Sequence, residues 1–323
     1  MDVVGAKGSP AKAGLPFLIP VSVLVAYWPV LKWYVERISD GSDEPFGILA
    51  LIVGLVIAWR GARSGMVGKV RAVCREKAVC FNAEDAKDTE VENNFPHSVS
   101  FASSALKINA KTKYDLNHST LLLPTLLSLT YLLLGYKLPM LAQGVFLSLT
   151  LSILLSNGYL NKKLSLSLLG LLLLSLPLIA SLQFFAGFPL RFVTTKLTAH
   201  ILSTVGIPVG SEGTLLMWRG ELVSIDAPCS GVKMLWSGLF LHFTLSGFRS
   251  LNNTATAVGY SLSMAAICFG NLTRSVMLFF TESGMIAAPA WVHPAIGLIC
   301  FTLVSLLIVT AHYKLRLLRS ETL

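Results

Sequence analysis

Residues 254–280 read TATAVGYSLSMAAICFGNLTRSVMLFF, and this stretch decides the fold. It runs for 27 residues with one charged side chain, Arg274. About 20 apolar residues in a helix cross the ~30 Å hydrocarbon core of a bilayer. Without water, every backbone N–H and C=O must be bonded inside the segment, so the stretch is read as a transmembrane helix. A guanidinium within such a helix is costly and is usually paired or functional. Asn271 lies three residues earlier on the same face.

Working outward, seven more apolar segments lie at Leu15–Val35, Pro45–Trp59, Ser119–Tyr136, Leu138–Asn157, Leu164–Leu182, Gly231–Phe248 and Trp291–Tyr313. The second is short and fits either a little-tilted span or an interfacial helix. The first lacks a small-residue cleavage site and precedes seven more spans, so it is not read as a secretory signal. Composition agrees: 54% of residues are hydrophobic and 13% charged, about half the usual charged share of a soluble domain. A soluble enzyme, a disordered regulator and a secreted disulfide scaffold are excluded. The expected fold class is an all-α polytopic membrane protein with about eight transmembrane helices.

The net charge is +9, from 26 Lys and Arg against 17 Asp and Glu. In a membrane protein such an excess marks the cytoplasmic side rather than a nucleic-acid partner, and none is expected. With the N-terminus inside, 18 of the 26 basic residues fall on inner segments. Six fall outside (Lys32, Arg37, Lys137, Arg191, Lys196 and Arg219), while Lys233 and Arg274 lie within spans. Both termini are therefore expected in the cytoplasm. Residues 1–60 are expected to form two N-terminal spans, 61–118 a cytoplasmic insert, and 119–323 a second transmembrane domain. Met66–Cys80 has the spacing of a surface-lying amphipathic helix, set against the plainer reading of the insert as a solvated spacer. Residues 183–229 form an outer loop. In it Arg191–Ile201 reads as an interfacial helix, and Thr214–Met217 and Glu221–Ile225 flank Arg219-Gly220 as a small β-hairpin.

The five cysteines separate by topology. Cys74 and Cys80 fall in the insert, where thiols stay reduced. Cys268 and Cys300 lie inside spans as small packing residues. Cys229 is in the outer loop with no partner at its depth, which suggests a reactive thiol against a chance free one. Ala227-Pro228-Cys229-Ser230-Gly231 leads into a helix whose N-terminal dipole favours a thiolate. Lys233, four residues on, either adds positive charge or snorkels to the interface. His293, in Trp291-Val292-His293-Pro294-Ala295-Ile296-Gly297, opens the last span at the outer surface, and Gly297 one turn later admits a close neighbour.

Taken singly, Arg274 also reads as a structural arginine and His293 as an interfacial histidine beside Trp291. Together, Cys229, Arg274 and His293 come from three segments, and the charge-derived topology puts all three at outer helix ends. A thiol, a base and a fixed cation make an acyl-transfer site. His293 would take the thiol proton and return it to the leaving amine, and Arg274 would stabilise the oxyanion. His97, His118 and His312 lie on the cytoplasmic side, and His242 is about 20 Å deeper than Cys229. His200, in the outer loop, is the other candidate base. Metal ligation is weakly supported, with no second histidine or carboxylate at ligand spacing. No Gly-rich phosphate loop is present, so no cofactor is expected.

At these residues the sequence resembles the exosortase/archaeosortase family of membrane cysteine transpeptidases. The family pattern is a Cys-Ser-Gly, an Asn-x-x-Arg and a His-x-x-x-Gly element on successive helices. Here they are Cys229-Ser230-Gly231, Asn271-Leu272-Thr273-Arg274 and His293-Pro294-Ala295-Ile296-Gly297. The stretch Gly206-Ile207-Pro208-Val209 through Trp218-Arg219-Gly220 and Val223 is similar to the family's loop before the cysteine, and the resemblance extends from about Thr120 to Tyr313. Pro294 stands where the family often has Asp and Pro228 where it often has Ala, which leaves subfamily and target motif open. The resemblance implies catalytic roles for Cys229, Arg274 and His293, with Ser230, Gly231, Lys233 and Asn271 in support. It also implies substrates that are exported proteins with a C-terminal sorting signal: a short motif such as Pro-Glu-Pro, a transmembrane helix and a basic tail. The cysteine would form a thioester near the motif, and an acceptor such as a lipid or glycan amine would take the acyl group. Membrane lipid surrounds the bundle, in the plasma (inner) membrane, with the site facing the periplasm or exterior.

Two rivals share these residues. A membrane cysteine endopeptidase would pass the acyl group to water. A transporter would use Arg274 and Lys233 to bind an anion near a pore.

Overall fold

The structure, a computed structural model, describes residues 23, 25–39, 46–64, 118–224 and 231–321. The expected Met66–Cys80 helix, Cys74, Cys80, Cys229, Ser230 and the start of the first apolar segment lie outside the described residues. The helices, in chain order, are α1 (Trp28–Ser39), α2 (Phe46–Ser64), α3 (His118–Leu134), α4 (Met140–Tyr159), α5 (Leu166–Ser175) and α6 (Ile179–Thr204). Three short strands follow, then α7 (Val232–Phe248), α8 (Asn253–Glu282) and α9 (Val292–Glu321). Among the described residues α2, α4, α8 and the first 24 residues of α9 are long and apolar enough to cross a membrane, and α5 with α6 makes a fifth if the pair is one broken span. α7 has 17 residues, about 25 Å of helix. α2 runs past the expected end at Trp59. Its Arg60 and Arg63 guanidiniums lie over the rings of Phe248 and Trp59, 5.1 and 5.0 Å from their centres, so the charges end the apolar run without ending the helix.

Two expectations are corrected. A single span over 164–182 followed by a loop from 183 does not form. α5 ends after ten residues, about 15 Å or half a hydrocarbon core. The chain then turns through 97° into α6, which continues to Thr204. The cause is Leu176-Pro177. Proline supplies no N–H and pushes the residue before it out of helical geometry, and Leu176 is extended at φ −65°, ψ 152°. The interfacial helix expected over Arg191–Ile201 is thus the second half of a longer one, with Phe184, Phe185 and Phe188 exposed along its first half.

The second correction is to the extent of β-structure in an otherwise mostly helical chain. Strands β1 (Gly210–Glu212), β2 (Leu215–Trp218) and β3 (Glu221–Ser224) form an antiparallel sheet in that order. The β2–β3 hairpin turns on Arg219-Gly220, as its sequence predicts. Both residues have positive φ, 55° and 84°, the signature of a two-residue turn matched to strand twist. β1, reached through Gly213 at φ 60°, is the strand not foreseen.

The largest core unites α6, the sheet, α7, α8 and α9 through Leu202, Leu216, Val223, Phe279 and Val304. Close approach is set by small residues. A Cβ on Gly238 of α7 would stand 2.6 Å from Ile267 of α8, and one on Gly270 of α8 would collide with Val304 of α9. A second core joins α2 and α5 to Trp236 of α7. A third joins the chain around α1 to α3 and α4, with Tyr27 stacked on Tyr131 at 4.1 Å.

Candidate active site

The ends of three elements converge at one end of the α7–α8–α9 unit. α7 starts at Val232, and its N-cap Gly231 is left-handed at φ 80°. The helix begins within one residue of the expected Gly231, and the spacing drawn between Cys229 and Lys233 lies partly outside the described residues. Lys233 itself is exposed on the first turn. Asn271 and Arg274 lie on α8, which ends at Glu282, two residues beyond the expected Phe280. Arg274 is thus eight residues, about 12 Å, from the helix end. His293 is the second residue of α9.

Two glycines join these elements. A Cβ on Gly231 would stand 2.8 Å from the Asn271 carboxamide, too close for any other residue. A Cβ on Gly297 would stand 3.4 Å from Arg274 Nε and 3.7 Å from its Cζ. The guanidinium therefore lies against Gly297, one turn from His293 on the same face of α9. The neighbour that Gly297 meets is thus the Arg274 side chain, at ordinary van der Waals distance. The second motif is consequently in contact with residues of both the first and the third.

Asn271 is buried, 8% exposed. Its Nδ2 donates to Thr194 Oγ1 of α6 at 3.4 Å, a long bond, and its Oδ1 is buried without a hydrogen-bond partner among the described residues. Arg274 Nε is in the same condition. A buried unmet polar group is costly, and these two stand where the three motifs meet.

His293 Nδ1 is 2.9 Å from Glu282 Oε1, across the turn between α8 and α9. With Nδ1–H donating to the carboxylate, Nε2 is the basic nitrogen. Both side chains are partly exposed, 34% and 42%, so bulk water reaches the pair. Glu282 was missed in the sequence, where it fell just outside the apolar segment. One signal was available: an acid at a helix C-terminus opposes the helix dipole and calls for another reason to be there.

The remaining histidines sit elsewhere. His200 is exposed on α6. His242 and His312 are fully buried toward the opposite ends of α7 and α9, with Nδ1 of His242 2.9 Å from Nε2 of His312. Cys300 is buried as expected, but Cys268 is exposed on α8 and does not pack in the core. Among the described residues no three His, Cys, Asp or Glu side chains converge on one point.

The sheet closes the site from one side. Trp218 of β2 meets Phe279 of α8 edge-on, ring centres 6.0 Å apart, and Val223 of β3 is buried in the same core. Both ends of the 225–230 segment, Ser224 and Gly231, are thereby fixed at the end of the bundle that carries Arg274 and His293.

The family model for transmembrane exosortases (Exosortase_EpsH) matches residues 99–310 of the chain. No curated protein and no solved structure matches it.

Proposed function

Because the chain belongs to the transmembrane exosortase family, we propose that it is a membrane cysteine transpeptidase with Cys229, His293 and Arg274 as its catalytic groups. The observation that carries the reading is the joining of the three motifs through Gly231 on Asn271 and Gly297 on Arg274. Cys229 is two residues from Gly231, and two residues of chain reach at most about 7 Å.

His293 takes the thiol proton at Nε2 while Glu282 holds Nδ1. The thiolate adds to the scissile carbonyl, and the developing oxyanion lies against Arg274. Collapse breaks the C–N bond. The imidazolium gives its proton to the departing amine, and a thioester remains on Cys229. An acceptor amine then loses a proton to His293, attacks the thioester and releases the thiol. One amide is broken and one formed, so the acyl group passes on without nucleotide chemistry. Substrates are exported proteins with a C-terminal sorting signal, whose transmembrane helix delivers the cleavage motif to this end of the bundle. The charge bias supports an outer-face position for that end, in the plasma membrane on this reading.

The experiment is co-expression with a tagged sorting-signal protein and mass analysis of its new C-terminus. The expected product carries an added acceptor mass. Cys229→Ala is expected to abolish processing, by at least about 1,000-fold. Processing left intact in Cys229→Ala would refute the cysteine mechanism. A bare carboxylate on every product would replace transfer by hydrolysis, the endopeptidase reading that the partly exposed His293–Glu282 pair also permits.

A further inference from the structure

Arg219-Gly220 is a two-residue turn, so Trp218 and Glu221 form the closing pair that exchanges both backbone hydrogen bonds. Alternation then fixes the rest of the strand. Val223 bonds back to Leu216, while the N–H and C=O of Leu222 point away from β2. The order β1-β2-β3 leaves β3 at the sheet edge, and Leu222 has no backbone partner there among the described residues. The next outward position is Ser224, where the strand ends. Edge strands are usually protected by lysine, proline or a bulge. Glu221-Leu222-Val223-Ser224 has neither residue and pairs with β2 in unbroken register. The other edge, β1, is three exposed residues with one outward position, Ser211.

The hairpin is apolar on both faces. Leu216 and Val223 pair on the inner face, buried in the core. Met217 and Leu222 pair on the outer face and are 43% and 56% exposed. An apolar pair beside an open edge offers main-chain groups to an extended peptide and a surface to its side chains. The hairpin also stands at the right level. Trp218 meets Phe279, which lies five residues past Arg274 and three before Glu282 on α8, about 7.5 and 4.5 Å along the helix. A peptide bond under attack must be extended, because helical carbonyls are bonded one turn on and screened by side chains. A segment unwound in this way carries unpaired N–H and C=O groups, which cost free energy at a membrane until they find partners.

We propose that the edge of β3 at Leu222 takes the extended substrate segment leading to the scissile bond as an added strand, with that segment's side chains against Met217 and Leu222. The identity of the occupant rests on the transpeptidase reading.

The test traps the complex in membranes, using the full chain and a tagged reporter ending in a Pro-Glu-Pro motif, a transmembrane helix and a basic tail. The chain carries Leu222→Cys in a cysteine-depleted Cys229→Ala background, so trapping requires no catalysis. Single cysteines stand at successive reporter positions ahead of the transmembrane helix. Disulfide trapping is expected at alternate positions, the period of a strand. Trapping at every third or fourth position, or at none, would overturn the proposal. In the active chain, Leu222→Pro removes the outward N–H and leaves the bonds of Glu221 and Val223 to β2. It is expected to lower reporter processing about tenfold with the melting temperature in detergent preserved, while Ser211→Pro on β1 leaves processing unchanged. Leu222→Val keeps the N–H and is expected to lose less, about twofold. An equal loss in Leu222→Val and Leu222→Pro would assign the effect to the side chain and overturn the pairing. Should Leu222→Pro fail to fold, the trapping pattern decides. Processing by the wild-type chain without alternate trapping removes the β3 proposal alone. Alternate trapping without any processing keeps it and removes the transpeptidase reading.

Discussion

Arg274 is the residue whose environment changed most once its neighbours were known. In the sequence it is one charge among 27 largely apolar residues; in the fold its guanidinium rests on Gly297 and its Nε is unmet. If it stabilises an oxyanion, Arg274→Ala is expected to lower the cleavage rate about 100- to 1,000-fold with little change in substrate binding. Arg274→Lys keeps the charge but not the planar fork and is expected to fall between. Single-turnover cleavage of a tagged substrate checks both. In the proposed mechanism Glu282, 2.9 Å from His293 Nδ1, acts through that histidine as a positioning residue. Glu282→Gln keeps a hydrogen-bond acceptor but loses the carboxylate that stabilises the imidazolium, and about a tenfold or larger fall in kcat at unchanged KM is expected. A rise in KM at unchanged kcat would give Glu282 a substrate-contact role instead. Glu282→Asp, restoring the charge on a shorter arm, is expected to recover part of the rate.

At the scale of elements, the site depends on how helices start and stop. Gly231 caps α7 in a conformation that costs other residues about 1 kcal/mol or more, and a Cβ there meets Asn271. Gly231→Ala is therefore expected to reduce processing sharply and to lower the melting temperature in detergent. Ala is expected to be mild at Gly158, where a Cβ meets nothing within 4 Å. Leu176-Pro177 accounts locally for the bend after α5. Pro177→Ala is expected to leave the bend in place only if tertiary packing, such as Trp236 Nε1 donating to the Leu174 carbonyl at 3.2 Å, holds it without the proline. Spacing measurements by paired spin labels on α5 and α6 would show which. The β2–β3 hairpin was legible because a two-residue turn demands positive φ and Arg219-Gly220 meets that demand at its second position. β1 was not legible, since three exposed residues, Gly210–Glu212, carry no alternation.

At the scale of the whole molecule, the charge asymmetry makes a topological claim that can be measured. In a cysteine-depleted background, Ala287→Cys between α8 and α9 is expected to react with an impermeant maleimide on intact cells. Lys163→Cys, at the opposite end of the bundle, is expected to react only after permeabilisation. The reverse pattern would place the proposed active site in the cytoplasm and remove exported proteins as its substrates.

The sequence by itself determined that this chain is built mainly of apolar helices, where most of them lie, the sign of the charge bias, and the three short motifs. Each of these is a local property. Apolar run length measures a bilayer, and a proline or a glycine pair imposes its dihedrals on its immediate neighbours. Only the tertiary structure decided that Gly297 faces Arg274, that Gly231 seats on Asn271, and that Glu282 holds His293. Those are contacts between residues many positions apart, and in a bundle they are fixed by which helix faces meet. In lipid, apolar surface alone does not choose those faces; close packing at small residues does, and no run of sequence displays it.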